Sequence, residues 1–171
     1  MDEKWNVLNR KRGYLKIHVA VNIKTKEILA LEVTDEKVHD GSRMLKKLVN
    51  HVLDNRGRMI ESVLADGAYD TNTNFQFLEQ KGIIPGIKVR KNSIISIRNN
   101  SLRNREVRLQ TKDDDLLKWK AKRKYGHRWI AETVFSTIKR TFGEFVSATR
   151  FQNMVKEMMI KVSLYNLFRK I

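Results

Sequence analysis

Four side chains that could take part in chemistry lie close together late in the chain: Tyr125, Arg128, Glu132 and Lys139. Successive members are 3, 4 and 7 residues apart, so on a helix, at about 100° per residue, all four would lie within roughly 60° of one another. Arginine and lysine bind phosphate groups, whereas a carboxylate suits a hard divalent cation. On spacing alone, an ordinary ion pair between Arg128 and Glu132, which stabilises a helix by only a few tenths of a kcal/mol, is the simpler interpretation.

A second acid, Asp66, stands at the end of a short apolar segment. Residues 60 to 65 have the sequence Ile-Glu-Ser-Val-Leu-Ala, which predicts a short strand with Asp66 at its carboxyl end. Asp70 follows four residues later and fits two roles: a further metal ligand, or the N-cap of a helix predicted over residues 72 to 81. The cap is the simpler of the two interpretations.

Hydrophobic periodicity predicts the elements that must position these acids. Apolar residues alternate with polar ones over residues 15 to 23, which predicts a strand, and residues 27 to 34 predict its hairpin partner. Beyond these, the pattern predicts strands at residues 60–65 and 83–89 and helices at 42–55, 72–81, 128–142 and 153–169, with Ser42 as a helix cap and Gly82 as a helix end. The order strand, strand, helix, strand, helix, strand indicates an α/β layered fold rather than an all-helical DNA-binding module.

The periodic pattern is lost over residues 91 to 124, where basic and polar residues dominate. From Lys88 to Arg128 there are fourteen basic and four acidic residues, so this stretch supplies ten of the sixteen net positive charges. Its length and charge favour a DNA-contacting insertion, residues 91–124, in a single domain that spans residues 1–171; a solvated, flexible loop is the alternative. Trp119 would either stack on an exposed base or pack over the core. The candidate DNA contacts are Lys88, Arg90, Lys91, Arg103, Arg105, Arg108, Lys118, Lys120, Lys122, Arg123 and Lys124.

Composition narrows the class of protein. The chain has 171 residues, 41% of them hydrophobic, which is enough for a globular core. A net charge of +16 predicts a polyanionic partner, and nucleic acid is the usual one. Cysteine is absent, which excludes disulfides and thiolate metal sites. No apolar run approaches the roughly 20 residues that span a bilayer, and the start from Met1 to Trp5 does not resemble a secretory signal. We therefore expect a soluble, cytoplasmic, nucleoid-associated protein that does not bind membranes.

Other side chains carry weaker signals. His39, in the polar segment Val38-His39-Asp40, fits a hydrogen-bonded turn better than a place in an active site. His18 is predicted on the polar face of its strand, and His127 is predicted to make a local contact. An apolar stripe on the last helix is expected to pack in the core or in a dimer: Met154, Val155, Met158, Met159, Val162, Tyr165 and Phe168.

Several of these segments resemble one known family. The pattern Tyr125-x2-Arg128-x3-Glu132-x6-Lys139 resembles the complete Y-R-E-K signature of insertion-sequence transposases in the DDE superfamily. Residues 64 to 70, Leu-Ala-Asp-Gly-Ala-Tyr-Asp, resemble the second-aspartate motif of that family, and residues 16 to 21 are similar to the strands that follow its first aspartate. The resemblance covers essentially the whole chain. It implies an RNase H-like α/β fold, with a mixed sheet flanked by helices, and a DNA transposase that cleaves and transfers strands during transposition of an insertion element.

The resemblance also implies the parts of an active site. Family members use three acids to hold two Mg²⁺ or Mn²⁺ ions, which activate the attacking oxygen and stabilise the leaving one. Asp66 matches the second acid and Glu132 the third. Tyr125, Arg128 and Lys139 would support the site and contact the DNA backbone near the cleaved end. The implied partners are double-stranded DNA, as transposon ends and as target, and a second copy of the chain, because transposition joins two ends.

The N-terminus departs from the family pattern. The family's first aspartate lies on a strand before the segment matched by residues 16 to 21, but here only about fourteen residues precede that segment. They lack a β-rich run, and their only aspartate, Asp2, is expected to be an exposed terminal residue. We therefore expect an N-terminally truncated chain that lacks the first strand and whose strand cleavage is impaired or lost. A non-catalytic DNA-binding remnant is the alternative function; an RNA-binding protein would explain the charge but not the signature.

Overall fold

The computed structural model describes residues 3–7, 14–35, 41–56, 59–95, 101–111 and 113–170. The chain divides into two compact units: the first unit comprises Met1–His39 and Trp129–Ile171, and the second unit comprises Asp40–Arg128. In chain order the elements are β1 Glu3–Val7, β2 Tyr14–Val21, β3 Ile28–Asp35, α1 Gly41–Arg56, β4 Ser62–Ala65, the 3-10 turn η1 Gly67–Tyr69, α2 Asn72–Gln80, β5 Ile84–Ile87, α3 Leu102–Gln110, α4 Asp113–Lys122, the 3-10 turn η2 Tyr125–Arg128, α5 Trp129–Phe142, β6 Phe145–Val146 and α6 Phe151–Phe168. The predicted α/β class is confirmed. Across the described ranges no helix is long and apolar enough to cross a membrane.

The first unit contains a four-stranded sheet in the order β3-β2-β1-β6. The pairs β1–β2 and β2–β3 are antiparallel, whereas β1 runs parallel to β6, so the sheet is mixed as predicted. The predicted hairpin of β2 and β3 is confirmed, and its turn manages without glycine. The Asn22 side-chain oxygen accepts hydrogen bonds from the N–H groups of Lys24 and Thr25, at 2.9 and 3.1 Å, and Lys26 takes a left-handed φ of 55°. An asparagine that bonds its own backbone in this way forms a turn locally.

Helices α5 and α6 provide the core of the first unit. The buried residues of α5 recur at three- and four-residue spacings, as expected for an amphipathic helix, and are Ile130, Val134, Phe135 and Ile138. They share one hydrophobic cluster with Leu15 and Ile17 of β2 and with the α6 residues Met154, Met158, Val162 and Tyr165. The predicted stripe on the last helix is therefore core at these four positions. Met159 and Phe168 are more than half exposed and lie off that buried face.

The second unit is built around a two-stranded parallel sheet of β4 and β5. Helix α1 begins at Gly41, one residue before the predicted cap Ser42, whose side chain lies outside the described residues. Helix α2 is capped by Thr71, whose hydroxyl accepts a hydrogen bond from the N–H of Asn74 at 3.2 Å. Gly82 follows the end of α2 with a φ of 67°, which confirms the predicted helix end.

The prediction that no strand precedes residue 15 is wrong, because Glu3–Val7 forms β1. This strand pairs with β2 on one side and β6 on the other. Strand propensity depends strongly on the neighbours that a segment finds in a sheet, so two flanking strands support a segment with few β-forming residues. Asp2 lies outside the described residues.

The basic stretch at residues 91–124 is also more regular than its sequence predicts, since it contains α3 and α4. Most of the buried residues of α3 are polar (Asn104, Glu106 and Gln110, beside Val107). A helix that buries polar side chains has no apolar stripe, so hydrophobic periodicity does not detect it.

Candidate active site

Asp66 lies directly after β4, as the sequence predicts. Its carboxylate oxygen Oδ1 accepts a hydrogen bond from the N–H of Ala68 at 2.9 Å, which makes Asp66 the N-cap of η1. The residue is half-buried. A carboxylate fixed at one oxygen, at the open end of a short parallel strand, is well placed to receive a ligand.

Tyr125 lies beside the strand end that carries Asp66. Its hydroxyl donates a hydrogen bond of 3.3 Å to the backbone carbonyl of Ala65, and its ring is tilted against that of Trp119, with centroids 5.1 Å apart. Burial raises the pKa of the Tyr125 hydroxyl; the positive charge of Arg128 opposes this rise, and the negative charge of Asp66 adds to it. The hydroxyl is therefore a protonated donor near neutral pH, in the electrostatic field of both Asp66 and Arg128.

The four signature residues do not share a single helix. Tyr125 and Arg128 form η2, and α5 begins only at Trp129, so the prediction that all four lie within roughly 60° on one helix is wrong. A 3-10 turn has about 3.0 residues per turn and advances more per residue than an α-helix. The second unit brings together Asp66, Tyr125 and Arg128, whereas Glu132 and Lys139 belong to the first unit.

Glu132 and Lys139 line a depression beside α5, together with Ser136 and Arg140 of the same helix and Glu144 just after it. Both predicted residues are half-buried. Glu132 lies in the first turn of α5 and Lys139 in the last, the positions at which the helix dipole favours a negative and a positive charge respectively. Our sequence prediction missed Ser136, Arg140 and Glu144, although the first two follow Glu132 at four and eight residues, a spacing that places them on its side of the helix.

Asp70 is a buried ion-pair residue, so the prediction that it caps α2 is wrong. Its side chain is 0% exposed and pairs with Arg103, whose Nε lies 2.7 Å from Oδ1. Ser93 and the backbone N–H of Arg90 donate to Oδ2. Burial by itself would raise the pKa of Asp70, but hydrogen bonds from Arg103, Ser93 and Arg90 and the charge of Arg103 hold the pKa below its ordinary value. The alternative role as a metal ligand stays a prediction.

The candidate DNA contacts differ in how far they are engaged within the chain. Exposed side chains are those of Lys88, Arg90, Lys91, Arg105, Arg108, Lys118, Lys122 and Lys124, and Lys120 is half-buried. The arginines are more often engaged within the chain: Arg103 pairs with Asp70, Arg123 pairs with the buried Glu106, Arg105 pairs with Glu79 at the surface, and Arg90 donates to the carbonyl of Gly67. The lysines are therefore the better candidates for phosphate contact.

Trp119 belongs to the core of the second unit. It is 4% exposed, and its indole N–H donates a hydrogen bond to Glu106, whose other oxygen accepts one from Arg123. Of the two interpretations of Trp119, packing over the core is the one that the structure bears out.

The histidine predictions have different outcomes. His18 is fully buried, not on a polar face, and its Nε2 lies 3.2 Å from the hydroxyl oxygen of Thr34 on the paired strand. His127 is exposed in η2. His39 and Asp40 lie outside the described residues.

The donor chemistry suits a hard divalent ion, because Asp66 and Glu132 offer only carboxylate oxygens. Within the part of the chain that the structure describes, no group of three or more His, Asp and Glu side chains is clustered in a way that could hold a metal. Asp66 belongs to the second unit and Glu132 to the first.

An α/β chain with an aspartate closing a parallel strand and a glutamate on a late core helix is organised like an RNase H-like domain. The chain matches the family described as Transposase DDE domain over residues 2–167, and it belongs to that family. It is thus a transposase domain of a class that acts on DNA by divalent-metal-dependent phosphoryl transfer. No solved structure matches the chain.

Proposed function

We propose that this chain cleaves and transfers DNA strands in the transposition of an insertion element, with Asp66 and Glu132 as carboxylate ligands of its divalent ions. In this proposal both units belong to one catalytic domain, residues 1–171. Tyr125, Arg128 and Lys139 support the site and contact the DNA backbone near the cleaved bond.

The observation that carries the proposal is the hydrogen bond from the Tyr125 hydroxyl to the carbonyl of Ala65. Sixty residues separate these two positions in sequence. The bond ties the first residue of the Y-R-E-K pattern to the strand end that carries the acid of the second-aspartate motif. A helix with an ordinary Arg128–Glu132 ion pair gives no reason for such a link.

Mg²⁺ or Mn²⁺ would be held by Asp66 and Glu132. When bound, a pair of such ions supplies activation of the attacking oxygen and stabilisation of the leaving oxygen. The chain's own cationic side chains would bind the DNA phosphate. Arg128 can engage a phosphate in a two-pronged contact, and Lys139 offers a mobile point charge. Tyr125, as a protonated donor, fixes the backbone before Asp66.

Duplex DNA would lie on the exposed lysines of the basic stretch. Lys118, Lys122 and Lys124 lie within seven residues of one another on α4 and the turn after it, and all three are exposed. Because phosphate neutralisation is independent of sequence, this surface would supply affinity for transposon ends and target alike. In the same proposal the protein acts in the cytoplasm, associated with the nucleoid. It forms a homodimer that joins the two transposon ends.

Mn²⁺ binding followed by electron paramagnetic resonance tests the proposal. We expect Asp66→Asn and Glu132→Gln each to weaken Mn²⁺ binding by at least about tenfold, since even supporting residues around a metal contribute that much. Two exposed acids, Asp54 and Glu61, provide matched controls as Asp54→Asn and Glu61→Gln. Wild-type affinity in both active-site variants would contradict the proposal. Nicking of supercoiled plasmid DNA by the same proteins measures strand cleavage, which should be lower in Asp66→Asn and Glu132→Gln than in the wild type.

A further inference from the structure

The turn that carries Asp66 is braced by residues that come from a different part of the second unit. The guanidinium of Arg90 donates from Nε to the carbonyl of Gly67 at 2.9 Å and from Nη2 to the carbonyl of Ala68 at 3.5 Å. Ala68 is also the residue whose N–H holds the Asp66 carboxylate. Arg90 therefore contacts the η1 backbone on which the orientation of that carboxylate depends.

Arg90 is itself held in place by Asp70. The Asp70 carboxylate accepts the backbone N–H of Arg90 at 3.0 Å. It also accepts the hydroxyl of Ser93 and a two-pronged contact from Arg103, at 2.7 and 3.1 Å. Arg103 donates in addition to the Ser93 oxygen at 3.0 Å. A carboxylate with 0% of its side chain exposed thus joins the end of η1 to the segment after β5 and to α3.

Together these hydrogen bonds form a closed network around η1, which we call the circuit. Asp70 ends η1 and fixes the backbone of Arg90, and the side chain of Arg90 returns to the first residue of η1. Gly67 lies close against the same segment, because a Cβ atom added there would be 3.4 Å from the Lys88 carbonyl oxygen. The hydrogen bonds of this circuit lie within the second unit, so it forms without any contribution from Glu132.

We infer that Arg90, Asp70, Ser93 and Arg103 are positioning residues that set the affinity of Asp66 for a divalent ion, and that Arg90 and Arg103 are not phosphate contacts. The inference rests on the proposed function, since it takes Asp66 as a metal ligand. Supporting hydrogen bonds around metal ligands typically contribute about tenfold to a hundredfold in metal affinity. We expect loss of the Arg90 contacts with η1 to lower the affinity for a divalent ion by a factor in the same range.

The test compares Arg90 with its neighbour Lys91, which is also exposed. Mn²⁺ affinity and the salt dependence of binding to a short DNA duplex are measured for Arg90→Ala, Arg90→Lys and Lys91→Ala. We expect both Arg90 variants to lose about tenfold or more in Mn²⁺ affinity while the salt dependence of DNA binding stays that of the wild type. Arg90→Lys is informative because it keeps the charge but loses the two-pronged contact. Lys91→Ala should keep wild-type Mn²⁺ affinity.

Asp70→Asn and Ser93→Ala extend the test into the buried part of the circuit, and the exposed Arg90 variants carry it if Asp70→Asn does not fold. If Asp66→Asn weakens Mn²⁺ binding but the Arg90 variants bind like Lys91→Ala, the positioning role is overturned and the proposed function stands. If Asp66→Asn itself leaves Mn²⁺ binding unchanged, both are overturned. A smaller salt dependence for Arg90→Ala with unchanged Mn²⁺ affinity would return Arg90 to the DNA contacts.

Discussion

The hydroxyl of Tyr125 lies 3.3 Å from the carbonyl oxygen of Ala65 and donates a hydrogen bond to it. Ala65 ends β4 and immediately precedes Asp66, so the contact fixes the strand end from which the candidate metal ligand projects. A tyrosine whose pKa is raised by burial keeps its proton and remains a donor at neutral pH. The bond holds the backbone immediately before Asp66.

Tyr125→Phe should cost about 0.5–1.5 kcal/mol of folding free energy, the usual contribution of one hydrogen bond, and should also weaken Mn²⁺ binding. Tyr165→Phe is the matched control, because Tyr165 donates a comparable bond of 3.1 Å to the carbonyl of Lys26 in the first unit. Urea denaturation measures the effect on stability, and Mn²⁺ titration measures the effect on metal binding. We expect the two variants to lose similar stability and Tyr165→Phe to keep wild-type Mn²⁺ affinity. Equal Mn²⁺ affinity in both variants would argue against a role for Tyr125 in the site.

The buried carboxylate of Glu106 should be the most sensitive ionic position of the basic stretch. It is 1% exposed and accepts hydrogen bonds from Trp119 and Arg123. Removing one partner of such a pair leaves the other charge buried and unpaired, which lowers the free energy of unfolding by about 3–5 kcal/mol. Arg123→Ala should therefore lower the urea midpoint strongly. Arg105→Ala breaks the exposed pair with Glu79 and should cost no more than about 1 kcal/mol. Equal midpoints for the two variants would contradict the packing described.

The stability contributed by Asp70 should depend on pH in the acid range. Its pKa is lowered by folding from an ordinary value of 3.8, so the contribution is complete above the unfolded pKa and is lost as the pH falls below 3.8 through the folded pKa. The difference in unfolding free energy between wild type and Asp70→Asn should thus be largest near neutral pH and shrink below about pH 4. Urea denaturation across this range checks it, with the exposed Asp54→Asn as control. A difference that grows on acidification would reverse the sign and contradict the assignment.

Substitutions of adjacent basic residues should have different effects on the salt dependence of DNA binding. Lys122 and Lys124 are exposed, whereas Arg123 between them is committed to Glu106. Each lost phosphate contact lowers the slope of log affinity against log salt by about 0.9, so Lys122→Ala and Lys124→Ala should each reduce the slope by up to that amount. Arg123→Ala should leave the slope unchanged. Fluorescence anisotropy with a labelled duplex at several salt concentrations measures it, and a reduced slope in Arg123→Ala alone would refute this division.

Local patterns predicted the elements that bury apolar side chains. The alternation at residues 15–23 predicts β2, and the apolar run before Asp66 predicts β4. In both cases the hydrophobic pattern lies within the segment itself. By contrast, β1 depends on β2 and β6 as neighbours. Its residues carry little strand signal of their own, so it was missed.

The supporting network of the site was beyond local prediction for a related reason. Asp70 and Arg103 are 33 residues apart in sequence, and charge and spacing do not reveal which arginine pairs with which carboxylate. Tyr125 does not lie on the predicted helical face because a 3-10 turn, Tyr125–Arg128, precedes α5. The acids themselves, Asp66 and Glu132, were selected by resemblance, and their shared role stays a prediction.

Metal binding by cysteine variants tests whether Asp66 and Glu132 bind the same ion. The chain contains no cysteine, so Asp66→Cys and Glu132→Cys can be made singly and together without background thiols. Titration with Cd²⁺, a soft ion that prefers thiolates, is followed by the ultraviolet absorption of thiolate-bound metal. We expect the double variant to bind one Cd²⁺ per chain far more tightly than either single variant. Binding by the double variant that is no tighter than that of the single variants would contradict this expectation.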